Sequence, residues 1–174
     1  MSDDLARSLL EHAYLEGDFV LRSGKRSKYY LDKYRFETRP ELLRPLGERI
    51  GAIVQEHAPE TARLAGPELG AVALAASASL ASGLPFLIVR KETKEYGTTK
   101  RIEGTFEQGE CVCVVEDVVT SGGALLESVE VLREAGLVVH TAVCVVDREE
   151  GGADALARQA VRLRPLFRAS ELLR

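Results

Sequence analysis

Cys111-Val112-Cys113-Val114-Val115-Glu116-Asp117-Val118-Val119-Thr120-Ser121-Gly122-Gly123-Ala124 is the stretch on which the fold turns. Five apolar residues come first, with no polar residue among them. A strand apolar at every position is covered on both faces, as in a parallel sheet between helix layers. Adjacent strand residues point to opposite faces, so the neighbouring carboxylates Glu116 and Asp117 predict that the strand leaves the sheet there. Two small hydroxyls and two glycines follow. A helical pattern then begins at Ala124, with Leu125, Val129 and Leu132 spaced four and three apart, and Gly136 stands where a C-terminal cap belongs.

Such a junction has a chemistry of its own. Backbone N–H groups at a helix start point outward and carry partial positive charge. Glycines let an anion approach them, and Thr120 and Ser121 add donors, so the loop suits a phosphate. The carboxylates beside it accept sugar hydroxyls or coordinate Mg²⁺. Phosphate, sugar and metal together point to a phosphorylated ribose. A buried strand with a polar end and an ordinary capped helix shares the same pattern, because Gly and Ser are common at any strand–helix turn.

Working outward, the chain has 174 residues, which is enough for one domain with a real core over residues 1–174. Hydrophobic residues make up 45% and charged residues 29%, the balance of a folded globular protein. A net charge of −4 argues against a general nucleic-acid binder. No apolar run approaches the ~20 residues that span a bilayer. Met1-Ser2-Asp3-Asp4 lacks the basic-then-apolar layout of a signal peptide, so a cytoplasmic location is expected. Cys111, Cys113 and Cys144 sit in apolar runs without metal-ligand spacing, and His12, His57 and His140 are scattered; inert thiols and incidental histidines are the expectation.

An amphipathic helix is predicted over 3–15, with Ser2 as its N-cap. Strands at 19–21 and 28–32 around the polar turn 22–27 predict a hairpin. There, Arg22 and Lys25 flank Gly24 beside Tyr29 and Tyr30. That grouping suits a small anionic aromatic ligand, although an exposed turn with packed aromatics is the simpler reading. Thr38-Arg39-Pro40-Glu41 reads as a capping box opening a helix to about His57. A strand at 61–65, a tight loop Gly66-Pro67-Glu68-Leu69-Gly70, a small-residue helix over 71–81 and a strand at 84–89 come next. Helix 124–135, an apolar strand over 138–146 ended by Asp147-Arg148, a short helix at 153–160, a strand at 161–167 and a terminal helix capped by Ser170 complete the chain. Alternating strands and helices mean a parallel sheet with crossovers. Ligands bind such sheets at the carboxyl ends of the strands. The 66–70 loop, the acidic pair with its loop, and Asp147-Arg148 all fall there. Neither GxxxxGK[ST] nor GxGxxG occurs.

Residues 90–109 read as a long excursion, and Arg90 to Arg101 is its charged part. Three of the six lysines fall here, and five basic residues stand against two acidic ones in a chain that is acidic overall. A solvated surface loop has this composition. Beside a phosphate site, however, a cationic loop can close over a diphosphate and shut out water.

Val114 to Ala124 resembles the PRPP-binding motif of type I phosphoribosyltransferases. Residues 19–32 and 90–98, together with Asp147-Arg148, narrow the resemblance to orotate phosphoribosyltransferases. The resemblance implies an α/β fold with a central, mainly parallel sheet flanked by helices, an N-terminal hairpin hood and a flexible catalytic loop. It implies transfer of phosphoribose from PRPP to orotate with Mg²⁺, the metal being held mainly by PRPP rather than by a protein metal site. Glu116 and Asp117 would bind the ribose hydroxyls, and Val118, Val119, Thr120, Ser121, Gly122, Gly123 and Ala124 would carry the phosphate loop. Arg90, Lys91, Lys94 and Tyr96 would meet the diphosphate, some of them across a homodimer interface. Thr120, Arg148, Arg22, Tyr29 and Tyr30 would line the orotate pocket. Lys94 and Asp117 would be the catalytic residues. Nucleic acid and membrane are not implied as partners.

Two departures stand out. Some members of the family carry a lysine in a Gly-Pro-x-Tyr-Lys-Gly loop, whereas Gly66–Gly70 is one residue shorter and has none. A histidine is frequent where Tyr96 stands, and tyrosine carries no charge near neutral pH.

Overall fold

The computed structural model describes residues 4–20, 24, 26–91 and 101–173. Its six-stranded sheet has the order β5-β4-β3-β6-β7-β8. These strands are β3 (Arg63–Pro67), β4 (Phe86–Val89), β5 (Ile102–Glu103), β6 (Cys111–Val119), β7 (Val138–Asp147) and β8 (Arg162–Arg168). All pairings are parallel except β4 with β5. Helices α4 (Gly70–Ser82), α5 (Gly123–Glu134) and α6 (Gly152–Arg158) make the crossovers. From β3 the chain passes to β4 on one side, then returns to β6 on the other. The carboxyl ends of β3 and β6 therefore flank the switch point of the sheet, where such folds bind ligands.

The uninterrupted apolar run of β6 has the predicted consequence. Cys113 and Val115 pack into one core with residues of α3 (Pro40–His57) and α4, while Val112 and Val114 pack into a second with α5 and α6. Both cores are closed to water. The small residues of α4 allow close approach: a Cβ on Gly47 of α3 would lie 2.7 Å from the Ser77 backbone carbon. Burial drives the Cys113 thiol up to about 12 and the Cys144 thiol well above its ordinary range, which keeps both as inert thiols.

Before the sheet come α1 (Asp4–Ala13), the antiparallel hairpin β1 (Tyr14–Val20) with β2 (Arg26–Leu31), and the one-turn α2 (Tyr34–Glu37). A hairpin forms as predicted but with other bounds: its first strand runs Tyr14–Val20 and its second Arg26–Leu31, so the opening helix ends at Ala13 rather than 15, and Arg26 and Ser27 lie in a strand rather than in the turn. The chain ends in α7 (Ala169–Leu172).

Three local expectations are corrected. β6 does not leave the sheet at the acidic pair. It continues to Val119, paired with β7 as far as Val119 opposite Asp147, and both carboxylates are buried within it. The capping box does not form: Thr38 Oγ1 donates to the Tyr34 carbonyl 2.5 Å away and so closes α2, and the N-cap of α3 is Arg39, with no side-chain cap bond. Ser170 is not a cap, because α7 begins at Ala169 and the Ser170 N–H instead donates to Glu149 Oε2 at 2.8 Å. Gly136 does cap α5. It sits at φ +87° with its N–H on the Arg133 carbonyl, and Leu137 N–H reaches Leu132 O, the paired bonds of a Schellman end.

Candidate active site

The small-residue loop expected to hold a phosphate takes shape where β6 ends. Thr120, Ser121, Gly123 and Ala124 are exposed, and Gly122 is the N-cap of α5 in the left-handed conformation at φ +84°. No side chain caps this helix start, so its N–H groups face outward as an anion site requires. Behind the loop lies Gly152. A Cβ there would stand 2.5 Å from the Thr120 carbonyl oxygen and 2.5 Å from Val119 Cγ1. The phosphate loop thus rests directly on the backbone at the start of α6.

The acidic pair is held by a partner that local pattern did not reveal. Lys33, between β2 and α2, donates to Asp117 Oδ2 at 2.6 Å. Asp117 Oδ1 accepts the Val118 N–H at 2.5 Å, and Glu116 Oε1 accepts the Asp117 N–H at 3.0 Å. Glu37 and Gly70 complete the cluster: a Cβ on Gly70 would lie 2.0 Å from Asp117 Oδ2 and 3.1 Å from Glu37 Oε1. Burial, then the charge of Asp117, pushes Glu37 up to about 8, and the same two causes raise Glu116. Burial is the largest single influence on Lys33 and opposes its charge, but the hydrogen bond to Asp117 and the charges of Asp117, Glu116 and Glu37 together outweigh it and raise its pKa. Carboxylates crowded in this way neutralise each other's charge by taking up protons unless a cation stands among them.

At the end of β7, Arg148 N–H donates to the Val119 carbonyl at 2.9 Å, tying the two strand ends together. Its guanidinium lies 5.0 Å from the ring centre of Tyr29, and Nη2 reaches the Tyr29 hydroxyl at 3.3 Å. Nε stands 3.1 Å from Glu150 Oε1 without the alignment of a hydrogen bond. Tyr29 in turn stacks on Tyr14, with centroids 5.8 Å apart. The hairpin thus reaches the sheet edge through Tyr29 and Arg148. Tyr30 is the next residue on the strand and packs instead with Phe19, ring centres 5.6 Å apart.

Arg90 and Lys91 lie at the neck of the charged excursion. Arg90 N–H donates to the Arg101 carbonyl, and the Arg101 guanidinium reaches back to the carbonyls of both Arg90 and Lys91. Glu68, in the short loop after β3, accepts the Lys91 N–H at 2.7 Å and faces Arg90 Nε at 3.8 Å. The loop without a lysine therefore anchors the excursion with a carboxylate. Arg22, Lys94 and Tyr96 lie outside the described residues. Lys33, Glu37 and Gly152 were not among the residues singled out from sequence, and Glu68 was named only as part of the 66–70 loop, with no role of its own. Each gains its place through contact with a segment distant in the chain.

With an acidic strand end and its glycine loop at the switch point of this sheet, the fold is that of the type I phosphoribosyltransferases. No protein-family model matches the chain. The orotate phosphoribosyltransferase of Methanocella arvoryzae is 54% identical over 157 residues, 90% of this chain and 88% of that protein. The crystal structure of orotate phosphoribosyltransferase from Aeropyrum pernix superposes with a TM-score of 0.84 at 33% identity, covering 97% of this chain and 96% of the other. The Mycobacterium tuberculosis enzyme in complex with PRPP gives 0.82 at 26% identity, covering 98% of each chain. The chain belongs to the orotate phosphoribosyltransferase family.

Proposed function

We propose that the end of β6 and the end of β7 form the two halves of one substrate site, in which phosphoribose passes from PRPP to orotate. The observation that carries this reading is the bond from Arg148 N–H to the Val119 carbonyl. It sets an arginine under a tyrosine hood one residue away from the start of the phosphate loop. Arg148, with Tyr29 beside it, offers an anionic planar base charge-assisted and stacking contacts, and Thr120 and Arg22 are assigned to the same base by resemblance. Tyr30 is assigned to the same pocket by resemblance. Residues 118–124 hold the 5′-phosphate through backbone N–H groups and hydroxyls. Asp117 and Glu116 accept the ribose hydroxyls.

The chemistry is displacement at the ribose C1: a bond to the orotate nitrogen forms as the bond to the diphosphate oxygen breaks. The protein's work is to position the two reactants and to stabilise charge on the leaving group. Arg90, Lys91, Lys94 and Tyr96 are assigned to the diphosphate, with Lys94 as its principal partner or proton donor. Mg²⁺ fits the donor set only as a companion of the substrate. Asp117 Oδ2 already faces an ammonium, whereas hard carboxylate oxygens beside a diphosphate suit Mg²⁺. Beside Glu116 and Asp117, Mg²⁺ brought in by the substrate would offset negative charge on the diphosphate.

We further propose a cytoplasmic homodimer in which the excursion of one subunit reaches the neighbouring site. Among the described residues no helix is long and apolar enough to cross a membrane. The decisive assay follows the loss of orotate absorbance with Mg²⁺–PRPP, set beside uracil, adenine, guanine and xanthine as alternative bases. Orotate alone should react. Lys94→Ala should lower kcat roughly 100-fold or more while leaving PRPP binding within a few-fold. Equal kcat in mutant and parent removes Lys94 from its role.

A further inference from the structure

The Lys33–Asp117 pair holds an ammonium where a substrate hydroxyl is expected. Asp117 Oδ2 bonds Lys33 Nζ at 2.6 Å, and Oδ1 is already engaged by the Val118 N–H. A ribose hydroxyl that approaches Asp117 therefore meets Lys33 first. The pair is lopsided in exposure: the Lys33 side chain is 32% exposed and that of Asp117 only 4%. The cation lies on the open side of the carboxylate and can move; the carboxylate is fixed inside β6.

Three surroundings narrow what Lys33 does once displaced. Gly70 opens α4, and a Cβ there would come within 2.9 Å of Lys33 Nζ. The ammonium therefore stands at a helix start, where two sources of positive charge converge. Two other carboxylates are at hand: Glu116, buried in β6 with Oε1 on the Asp117 N–H, and Glu37, which is 4% exposed and whose Oε1 has no hydrogen-bond partner. Burial and Asp117 favour its protonated form, so it is a weak second anchor for a cation. The loop that ends at Gly70 contributes Glu68 rather than any cation, and Glu68 is turned to the neck of the excursion. β2 and α2 carry other cations, but Lys28 is paired with Asp18 and Arg35 with Asp32, whereas Lys33 is the one bonded to Asp117.

We propose that Lys33 is a diphosphate-binding residue, parked on Asp117 in the free protein and transferred to the diphosphate of PRPP when the ribose hydroxyls take over Asp117 Oδ2. This rests on the site assignment proposed above. An exchange of this kind keeps Asp117 paired at every stage, and an unpaired buried carboxylate is the costly state that it avoids. A flexible lysine stem suits such a transfer better than the rigid fork of an arginine.

Equilibrium binding of three probes in the presence of Mg²⁺ tests it: inorganic diphosphate, ribose 5-phosphate and PRPP, each with the parent, Lys33→Gln and Lys33→Arg. Glutamine keeps a donor for Asp117 and removes the charge. Diphosphate and PRPP should bind Lys33→Gln roughly tenfold or more weakly. Ribose 5-phosphate should bind it as well as the parent or more tightly, because its competitor for Asp117 is weaker. Lys33→Arg should recover part of the diphosphate affinity. Parent-like diphosphate binding by Lys33→Gln overturns the proposal and leaves the site assignment standing. So does an equal loss of all three probes with a fall in Tm, which would mark Lys33 as a fixed support for Asp117. A parent that binds neither diphosphate nor PRPP overturns the proposal and the site assignment together.

Discussion

Gly152→Ala is the sharpest test of how the phosphate loop is built, because Gly152 touches no ligand in the proposed site. Its φ is one that alanine adopts freely, so the added methyl acts by volume alone. That methyl would stand 2.5 Å from the Thr120 carbonyl oxygen and 2.5 Å from Val119 Cγ1. An ordinary carbon–oxygen contact is ~3.3 Å, so the two backbones must part by roughly 0.8 Å. Neither side yields cheaply: one is the main chain at the end of β6, and the other begins α6. Overpacking of this kind costs about 1–3 kcal/mol of stability. The displacement falls on the segment proposed to hold the 5′-phosphate, and a shift near 1 Å in a positioning element costs up to ~100-fold in rate. The expectation is kcat/KM for PRPP reduced ~10- to 100-fold, weakened binding of ribose 5-phosphate, and a Tm lowered by about 2–12 °C. Steady-state kinetics with orotate held in excess, titration with ribose 5-phosphate and a thermal melt measure the three. A variant with lowered Tm and unchanged PRPP kinetics would refute the reasoning, since the loop would have moved without the substrate noticing.

Gly123→Ala makes the complementary case: nothing lies within 4 Å of its Cβ position, so Tm should hold while phosphate affinity falls, as titration with ribose 5-phosphate will report. Arg148→Lys keeps a charge but loses the planar face over Tyr29, and the KM for orotate should rise by roughly tenfold with the KM for PRPP little changed. Arg63 grips Glu110 through Nε and Nη2 at 2.5 and 3.0 Å, a bond that, with the Glu107 N–H, holds the Glu110 carboxyl below its usual range. A depressed folded pKa gives stability that is present above the unfolded value near 4.5 and is lost as pH falls through the folded one. Glu110→Gln should therefore melt below the parent at pH 7, and the gap should close on acidification below pH 4.5; a constant gap in a pH series of melts would count against the bond.

Much of this architecture was legible in the chain because it depends on near neighbours. Val112 to Val115 are apolar at every position, and that alone demanded cover on both faces, which α3 and α4 on one side and α5 and α6 on the other supply. Gly136 announced the end of α5 because a left-handed residue is cheapest as glycine. Strand ends at Pro67, Val119 and Asp147 placed three candidate segments on one edge, as alternation required. Local signals failed where a second local claim competed. Thr38 had both a helix to open and a helix to close, and the closing bond to Tyr34 won. The acidic pair looked like a strand end because two carboxylates inside a buried strand need partners that its neighbours do not provide.

Those partners come from far away in sequence. Lys33 meets Asp117 across 84 residues, and Arg148 meets Tyr29 across 119. Periodicity reaches only a few positions along the chain, so it can say that a carboxylate is buried but not what neutralises it. Local pattern sufficed for the parallel sheet, its two helix layers and the glycine loop at the start of α5, since hydrophobic period, glycine and helix starts act over a turn or a strand. Only the tertiary structure decided that Lys33 guards Asp117, that Glu68 holds the neck of the excursion and that Gly152 supports the loop. Each of those contacts exists because the order of strands in the sheet brings together ends that are remote in the chain.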